Sequence, residues 1–412
     1  MQRGWRRSGW PTEMHDKMAN TPFSLRQIAL PAFAPSVLYG IANGAILPVI
    51  ALSARDLDAS VATSSLVVAL AGIGSLVSNV PAAMITSRYG ERLAMAGAAV
   101  FSVLALLLCI FAAHVWMLAA GVLLAGMAGS VFTLARQTFL IEAVPIIMRA
   151  RALSTLAGSM RIGVFIGPFA GAALIHVIGL QGAYWVALVA MLGVGAIALV
   201  LPDLKQHPVQ DAVPSTKPTL AGLMRGHARV FLTLGLGVLL VSALRASRQV
   251  VIPLWADHLG LDPATASIIY GLAAAIDMAV FYPAGKVMDQ YGRIWVALPS
   301  TLLMGLSLMM MPLTSGLCTF LVASMAVGLG NGIGSGIVMT LGADASPRYG
   351  RTEFLGIWRM LADLGASSGP VLLAAITALS SLAAGMVAIG GLGLMAAVVF
   401  WRWIPAPVAR RQ

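Results

Sequence analysis

Charge is what this sequence lacks. Only 10% of its 412 residues are Asp, Glu, Lys or Arg, where a soluble domain carries roughly 25%. Leu93–Ala135, Ile294–Ala343 and Leu364–Trp401 contain no charged residue at all. A membrane-crossing helix needs about 20 apolar residues, so each stretch holds two helices and a short turn. These lengths exclude a soluble protein with a large buried helical core. Cysteine is almost absent. Cys109 and Cys318 both fall in apolar runs, without disulfide or metal-ligand spacing, and read as small packing residues. No His, Ser or Cys cluster sits with an acid inside an apolar run, which argues against an enzyme; His114 and His176 read as interfacial residues at outer helix ends. No glycine run between a strand and a helix is followed by Lys-Ser or Lys-Thr, so there is no phosphate-cradling loop and no ATP-driven pump. No cofactor and no metal is expected. Met1–Thr21 is polar and basic without the apolar core of a signal peptide, and Met14 and Met18 are alternative starts.

What charge there is has a strong sign. There are 26 Lys and Arg against 15 Asp and Glu, a formal net charge of +11. Nucleic acid would be one reading of such a balance, but its placement speaks for topology. Spans read at about 30–53, 63–86, 94–113, 116–140, 152–177, 181–201, 230–255, 264–286, 294–313, 318–342, 354–377 and 382–401 place nearly all the basic residues outside the spans on one side. The other side receives Arg55 alone, and Arg136, Arg161, Arg245, Arg248 and Arg359 fall within spans. Such an asymmetry marks the cytoplasmic side. It predicts a multi-pass protein of the cytoplasmic membrane with both termini inside, with attraction to anionic lipid as a second effect.

The chain repeats itself. "NVPAAMITSRYGER" (Asn79–Arg92) is echoed by "FYPAGKVMDQYGR" (Phe281–Arg293), with Pro81, Tyr89 and Gly90 answered by Pro283, Tyr291 and Gly292 at a shift of 202 residues. At the same shift Glu142 and Pro145 answer Asp344 and Pro347, Arg149 answers Arg351, and Gly163, Gly167 and Pro168 answer Gly365, Gly369 and Pro370. The reading is an all-α integral membrane protein of twelve helices in two pseudo-symmetric six-helix halves, residues 30–201 and 230–404. A tail at 1–29, a polar linker at 202–229 and a tail at 405–412 are cytoplasmic. Internal repeats around a central site are a mark of secondary transporters.

Two motifs carry a resemblance. Gly285, Asp289, Gly292 and Arg293 fill the Gly-x-x-x-Asp-x-x-Gly-Arg loop that resembles the signature of the major facilitator superfamily. Gly163, Gly167, Pro168 and Gly171 on the fifth helix look like the Gly-Pro signature of its antiporters, and "ARQTFLIEAVP" (Ala135–Pro145) is similar to the fourth-helix end of drug-exporter-like members. The resemblance implies alternating access around a cavity lined by helices 1, 4, 7 and 10, coupled to protons in a drug:proton antiporter. It also implies that the loop Asp docks on the start of a helix in the opposite half. Asp289 would then latch near Arg149 and Arg151, while Ser87, in the first copy "SRYG" with Arg88 and Gly90, would cap helix 11 through its hydroxyl alone. This sequence departs from the pattern at Ala83, Ser87, Glu91 and Val122, and no acid lies in its first helix.

Ionisable residues at membrane depth are functional candidates by default. Asp277 and Asp363 are the only acids well inside the spans, and either could carry a proton. Arg161 and Asp277 lie at similar depths, about 15 and 18 Å from the basic edge at 1.5 Å per residue, on helices the resemblance places face to face. They are expected to form a gating pair. Arg359, a further candidate for the gate between halves, is four residues from Asp363 and can neutralise it locally. Arg245 and Arg248, with Asn43 as the nearest polar match in the other half, and Arg136, are candidates for the substrate cavity. Arg245 and Arg248 count about 24–28 Å from the basic edge, deep enough for snorkelling to the opposite interface to compete with anion binding. The expected function is proton-coupled efflux of small amphipathic, and by the cationic excess anionic, molecules by a monomer. An organic-anion importer or facilitator, or a non-transporting receptor on the same fold, are the alternatives. Small molecules, protons and the bilayer are the expected partners, and nucleic acid is not.

Overall fold

The computed structural model describes residues 25–144, 149–200, 220–347 and 350–404. Among the described residues every element is a helix or a turn, as a bilayer demands, since a helix satisfies its own backbone. In chain order they are α1 (Leu25–Asp56), α2 (Val61–Ile110), α3 (Val115–Ala143), α4 (Arg149–Ile178), α5 (Gln181–Val200), α6 (Leu220–Gly226), α7 (Ala228–Val230), α8 (Leu236–His258), α9 (Pro263–Tyr291), α10 (Ile294–Met310), α11 (Leu317–Gly334), α12 (Ile337–Ala345), α13 (Arg351–Leu379) and α14 (Leu382–Trp403). A π-helical turn, Phe231–Gly235, leads into α8. α2 has 50 residues, about 75 Å of helix against a hydrocarbon core of about 30 Å, so it crosses twice. Its turn is at Gly90, whose φ of 80° and ψ of 163° lie in a region essentially closed to other residues. α11 and α12 together make one crossing. Among the described residues the crossings are therefore twelve.

The repeat is physical as well as textual. Gly292 takes φ 101° and ψ 167° at the equivalent turn. At the opposite end of the molecule, Asp58 and Gly260, again 202 apart, both have positive φ, 59° and 71°. Two residues on, Ser60 and Asp262 each cap a helix by accepting from the backbone N–H of Thr63 and Thr265. The Thr265 hydroxyl and N–H hold the Asp262 carboxyl below its usual range. The packing repeats too. Gly163 and Gly167 of α4 lie against α1, where a Cβ on Gly167 would come 2.6 Å from the Ala45 nitrogen. Gly365 and Gly369 of α13 lie against α8, where a Cβ on Gly369 would come 2.8 Å from the Ala243 carbonyl carbon. Backbones that close tolerate only glycine.

We call the end that carries the Gly90 and Gly292 turns the basic face, and the end that carries Arg55 the far face. Toward the far face one continuous core joins the halves, with Ile50, Leu118 and Tyr184 from the first and Val251, Phe320 and Met386 from the second. Toward the basic face the cores are separate. Leu140, Val144, Ala152 and Leu156 form one; Val238, Leu341, Phe354, Trp358 and Phe400 belong to the other. Across the boundary α4 packs on α9, α2 on α13 and α1 on α8.

Three expectations need correction here. The segment 202–229, read as a linker, is described only from Leu220, and there it is helical. Leu223 is buried in the second-half core and the His227 ring meets Phe354 edge-on at 5.5 Å, because its apolar residues find that core. Cys318 is exposed at the start of α11, while Cys109 is buried. The Ser87 hydroxyl donates to the Met84 carbonyl of its own helix, and α13 starts at Gly350 with no side-chain cap. Asp289 is exposed, and the side chains of Arg149 and Arg151 lie outside the described residues. Arg293 instead grips Asp344 of its own half with two guanidinium nitrogens, at 2.8 and 3.4 Å. The hydrogen bonds it donates to Asp344 hold the Arg293 guanidinium above its usual range.

Candidate functional site

α4 and α9 cross the boundary between halves at the height where Arg161 meets Asp277. Arg161 Nη1 lies 3.1 Å from Asp277 Oδ1. Its guanidinium stacks over the Phe281 ring at 4.4 Å, and Nη2 donates to the Ser335 hydroxyl. Arg248 of α8 reaches the same carboxylate, Nη2 to Oδ2 at 3.4 Å, and Asn331 Nδ2 donates to Oδ2 at 2.5 Å. Asp277 is 8% exposed, so it belongs to the interior. A buried carboxylate survives when its lone pairs are matched, and here two guanidiniums and an amide match them. Neither Arg245 nor Arg248 snorkels. Arg248 folds against Tyr270, 6.0 Å from the ring centroid, and Arg245 donates through Nη2 to the Gly334 carbonyl.

That carbonyl is available because the tenth span breaks. α11 ends at Gly334, Ser335 and Gly336 form a turn, and α12 restarts at Ile337. The last carbonyls of a helix lack intrahelical partners and carry its negative end, which suits Arg245. Three arginines thus converge on one aspartate and a helix break, leaving an excess of two positive charges. Arg245 Nε is buried there with no acceptor among the described residues.

The second boundary crossing, α2 against α13, is the pseudo-symmetric counterpart of the first. At the 202 shift Arg161 answers Asp363, and Phe281 answers Asn79. In place of an arginine over a ring, Asp363 Oδ2 accepts from Asn79 Nδ2 at 3.2 Å, and the Ser130 hydroxyl donates to Asn79 Oδ1 at 2.7 Å. Arg359 stands 4.0 Å from Asp363 and its side chain is 55% exposed. Asp363 is therefore held loosely by a neutral amide and one distant cation, where Asp277 is saturated.

The other two candidates lie apart. Arg136 is 4% exposed between α3 and α4. Its guanidinium lies 5.5 Å from the Phe132 ring centroid and its Nη2 3.9 Å from the Met160 sulfur. Asn43 donates to the Tyr39 carbonyl of its own helix and lines a cavity of about 200 Å³ inside the first half, with Tyr39, Ser75 and Tyr184. A Cβ placed on Gly171, on the fifth-helix signature, would make only ordinary contact with Ala45 at 3.5 Å. Sequence reasoning missed Asn331, Ser335, Asn79 and Ser130. The run "NGIGSG" (Asn331–Gly336), an amide among glycines in an apolar span, was the available signal for the break.

A model of the Major Facilitator Superfamily matches residues 33–246 and again 234–412. Comparison with curated proteins finds no match. Among solved structures, the chain resembles a bacterial homolog of the human lysosomal transporter Spinster, in an inward-facing and unoccupied conformation. The TM-score is 0.76 and the identity 15%, over 93% of this chain and 97% of that one. It also resembles a D-xylose–proton symporter, with TM-score 0.72 and 15% identity over 93% and 98%. A nucleoside transporter gives TM-score 0.71 and 13% identity over 90% and 98%. Likeness at this identity is one of fold.

Proposed function

Because the chain belongs to the Major Facilitator Superfamily, and is a multi-pass membrane transporter and not an enzyme, we propose that it exports small amphipathic anions in exchange for protons by alternating access. The observation that carries the reading is the cluster of Arg161, Arg245 and Arg248 around the single carboxylate of Asp277. Two guanidinium charges there have no acid of their own, and a desolvated cationic pair is relieved by an anionic ligand. A carboxylate, sulfonate or phosphate entering between the halves meets Arg245 Nε and competes with Asp277 for Arg248. The apolar remainder of the cargo rests on the walls of the spans.

Proton coupling is assigned to Asp363. Protonating Asp277 would strand Arg161 and Arg248 without a counter-charge, whereas Asp363 gives up one amide hydrogen bond and a 4.0 Å contact with an exposed arginine. The export direction rests on the likeness of the Gly163–Gly171 signature to antiporters. The named contacts between halves, from Arg161–Phe281 and Asn79–Asp363 to Arg55–Asp257, run from mid-depth to the far face. This supports a conformation open to the basic side, which we assign to the cytoplasm, with the protein a monomer in the cytoplasmic membrane.

The test is transport by the purified protein in proteoliposomes under an imposed pH gradient, with anionic, cationic and neutral amphiphiles of matched size. Gradient-driven accumulation of the anions alone, lost in Arg248→Gln, is the expected result. Equal transport of the cations, or transport indifferent to collapse of the gradient, would overturn it.

A further inference from the structure

A groove opens on the outer side of the first half, away from the arginine cluster. The two legs of α2 and the middle of α3 enclose a groove of about 500 Å³ lined by Pro81, Ile85, Phe101, Met127 and Val131 among others. That volume suits a small-molecule-sized occupant. The only lining residues with polar side chains are Ser78 and Tyr89. Tyr89 stands at the basic face beside the Gly90 turn, and Ser78 is eleven residues up the helix, about 16 Å away. That is the depth of one leaflet of a hydrocarbon core about 30 Å thick. At the mouth, Arg88 is exposed with its guanidinium 5.6 Å from the Tyr89 ring centroid. Arg92, two residues past the turn, donates to the Leu199 carbonyl at the same end.

We propose that this groove is a specific site for one acyl chain of an anionic phospholipid in the leaflet at the basic face, whose headgroup Arg88 holds. The groove ends where a leaflet ends, and its cation stands where a headgroup phosphate lies. Anionic lipid attracts basic residues at that level. The second half does not repeat the lining. At the equivalent positions of the second half, Gln290 replaces Arg88, Val280 replaces Ser78, Val296 replaces Ala94 and Pro299 replaces Gly97. Each exchange removes the charge or adds bulk where the groove is open.

Gly97 supplies the test. It lines the groove, and a Cβ placed there meets nothing within 4 Å, so Gly97→Leu starts its side chain in open space and directs it into the groove. The full chain is reconstituted with phosphatidylglycerol or phosphatidylcholine carrying a photoactivatable group in the acyl chain, and adducts are mapped by mass spectrometry. Phosphatidylglycerol adducts concentrate on Phe101, Met127 and Val131, about fivefold over phosphatidylcholine for one arginine at the surface. Arg88→Gln brings that ratio close to one. Gly97→Leu removes the adducts and leaves thermal unfolding in detergent unchanged. Adducts spread evenly around the lipid-facing surface would overturn the proposal. So would equal labelling by the two lipids in the parent protein, or full labelling of a folded Gly97→Leu variant.

Discussion

Asp277 and Asp363 are both carboxylates at depth, their surroundings differ, and the proposed exchange gives them opposite duties. Asp277→Asn leaves Arg161 and Arg248 facing a neutral amide. Breaking a buried pair in this way costs about 3–5 kcal/mol, so the variant is expected to unfold at markedly lower temperature and to lose transport. Asp363→Asn removes an acid whose cationic neighbour is half in solvent, where a pair is worth about 0–1 kcal/mol. It is expected to fold normally and to exchange cargo across vesicles at equal pH, while losing accumulation driven by a pH gradient. Counterflow and gradient-driven uptake, measured side by side with a melting curve, separate the two. The contrast between these acids was only half legible in the sequence. Equal depth on facing helices brought Arg161 and Asp277 together. Arg248 was harder to place, because a count along the helix gives depth but not the direction of a long side chain, which here turns to Asp277 and Tyr270.

Helices in this protein are positioned by what their neighbours omit. Gly167 and Gly369 admit the backbones of α1 and α8, whereas Gly171 on the same stripe has room for a methyl group. Gly167→Ala is therefore expected to cost about 1–3 kcal/mol by overpacking, and Gly171→Ala to be nearly neutral. Thermal unfolding of the two variants in detergent measures the difference. A sequence motif treats these glycines alike, and only the distances between helices tell them apart. At the tenth span Gly328 and Gly332 admit the α9 backbone at Ala273 and Asp277, whereas Gly336, next at the same spacing, lies in the break after Gly334. Glycine spacing for close approach and glycine at a break look the same in one dimension. The twelve crossings and the 202-residue repeat were legible throughout, because apolar length and charge placement are one-dimensional properties.

At the scale of the whole molecule the two halves are fastened on the far face by Arg55 and Asp257, with Arg55 Nε 3.2 Å from Asp257 Oδ2 and Arg55 Nη1 2.8 Å from the Ala59 carbonyl. The side chains are 38% and 41% exposed, so the pair contributes at most about 1 kcal/mol, enough to shift a two-state population about fivefold. Arg55→Asp is expected to lower the fraction closed on the far face by up to that factor, and the exchange Arg55→Asp with Asp257→Arg to restore it. Single-molecule fluorescence between labels on the two halves reads that fraction directly. These two residues are 202 apart, the same interval that relates the turns and caps on either side of them. A position that touches its own repeat must lie on the pseudo-twofold axis. Were two identical halves to associate as separate chains, that position would set a residue against its own copy, Arg against Arg or Asp against Asp, and repel. Opposite signs on the axis are open only to copies whose sequences differ, so this clasp postdates the divergence of the two halves.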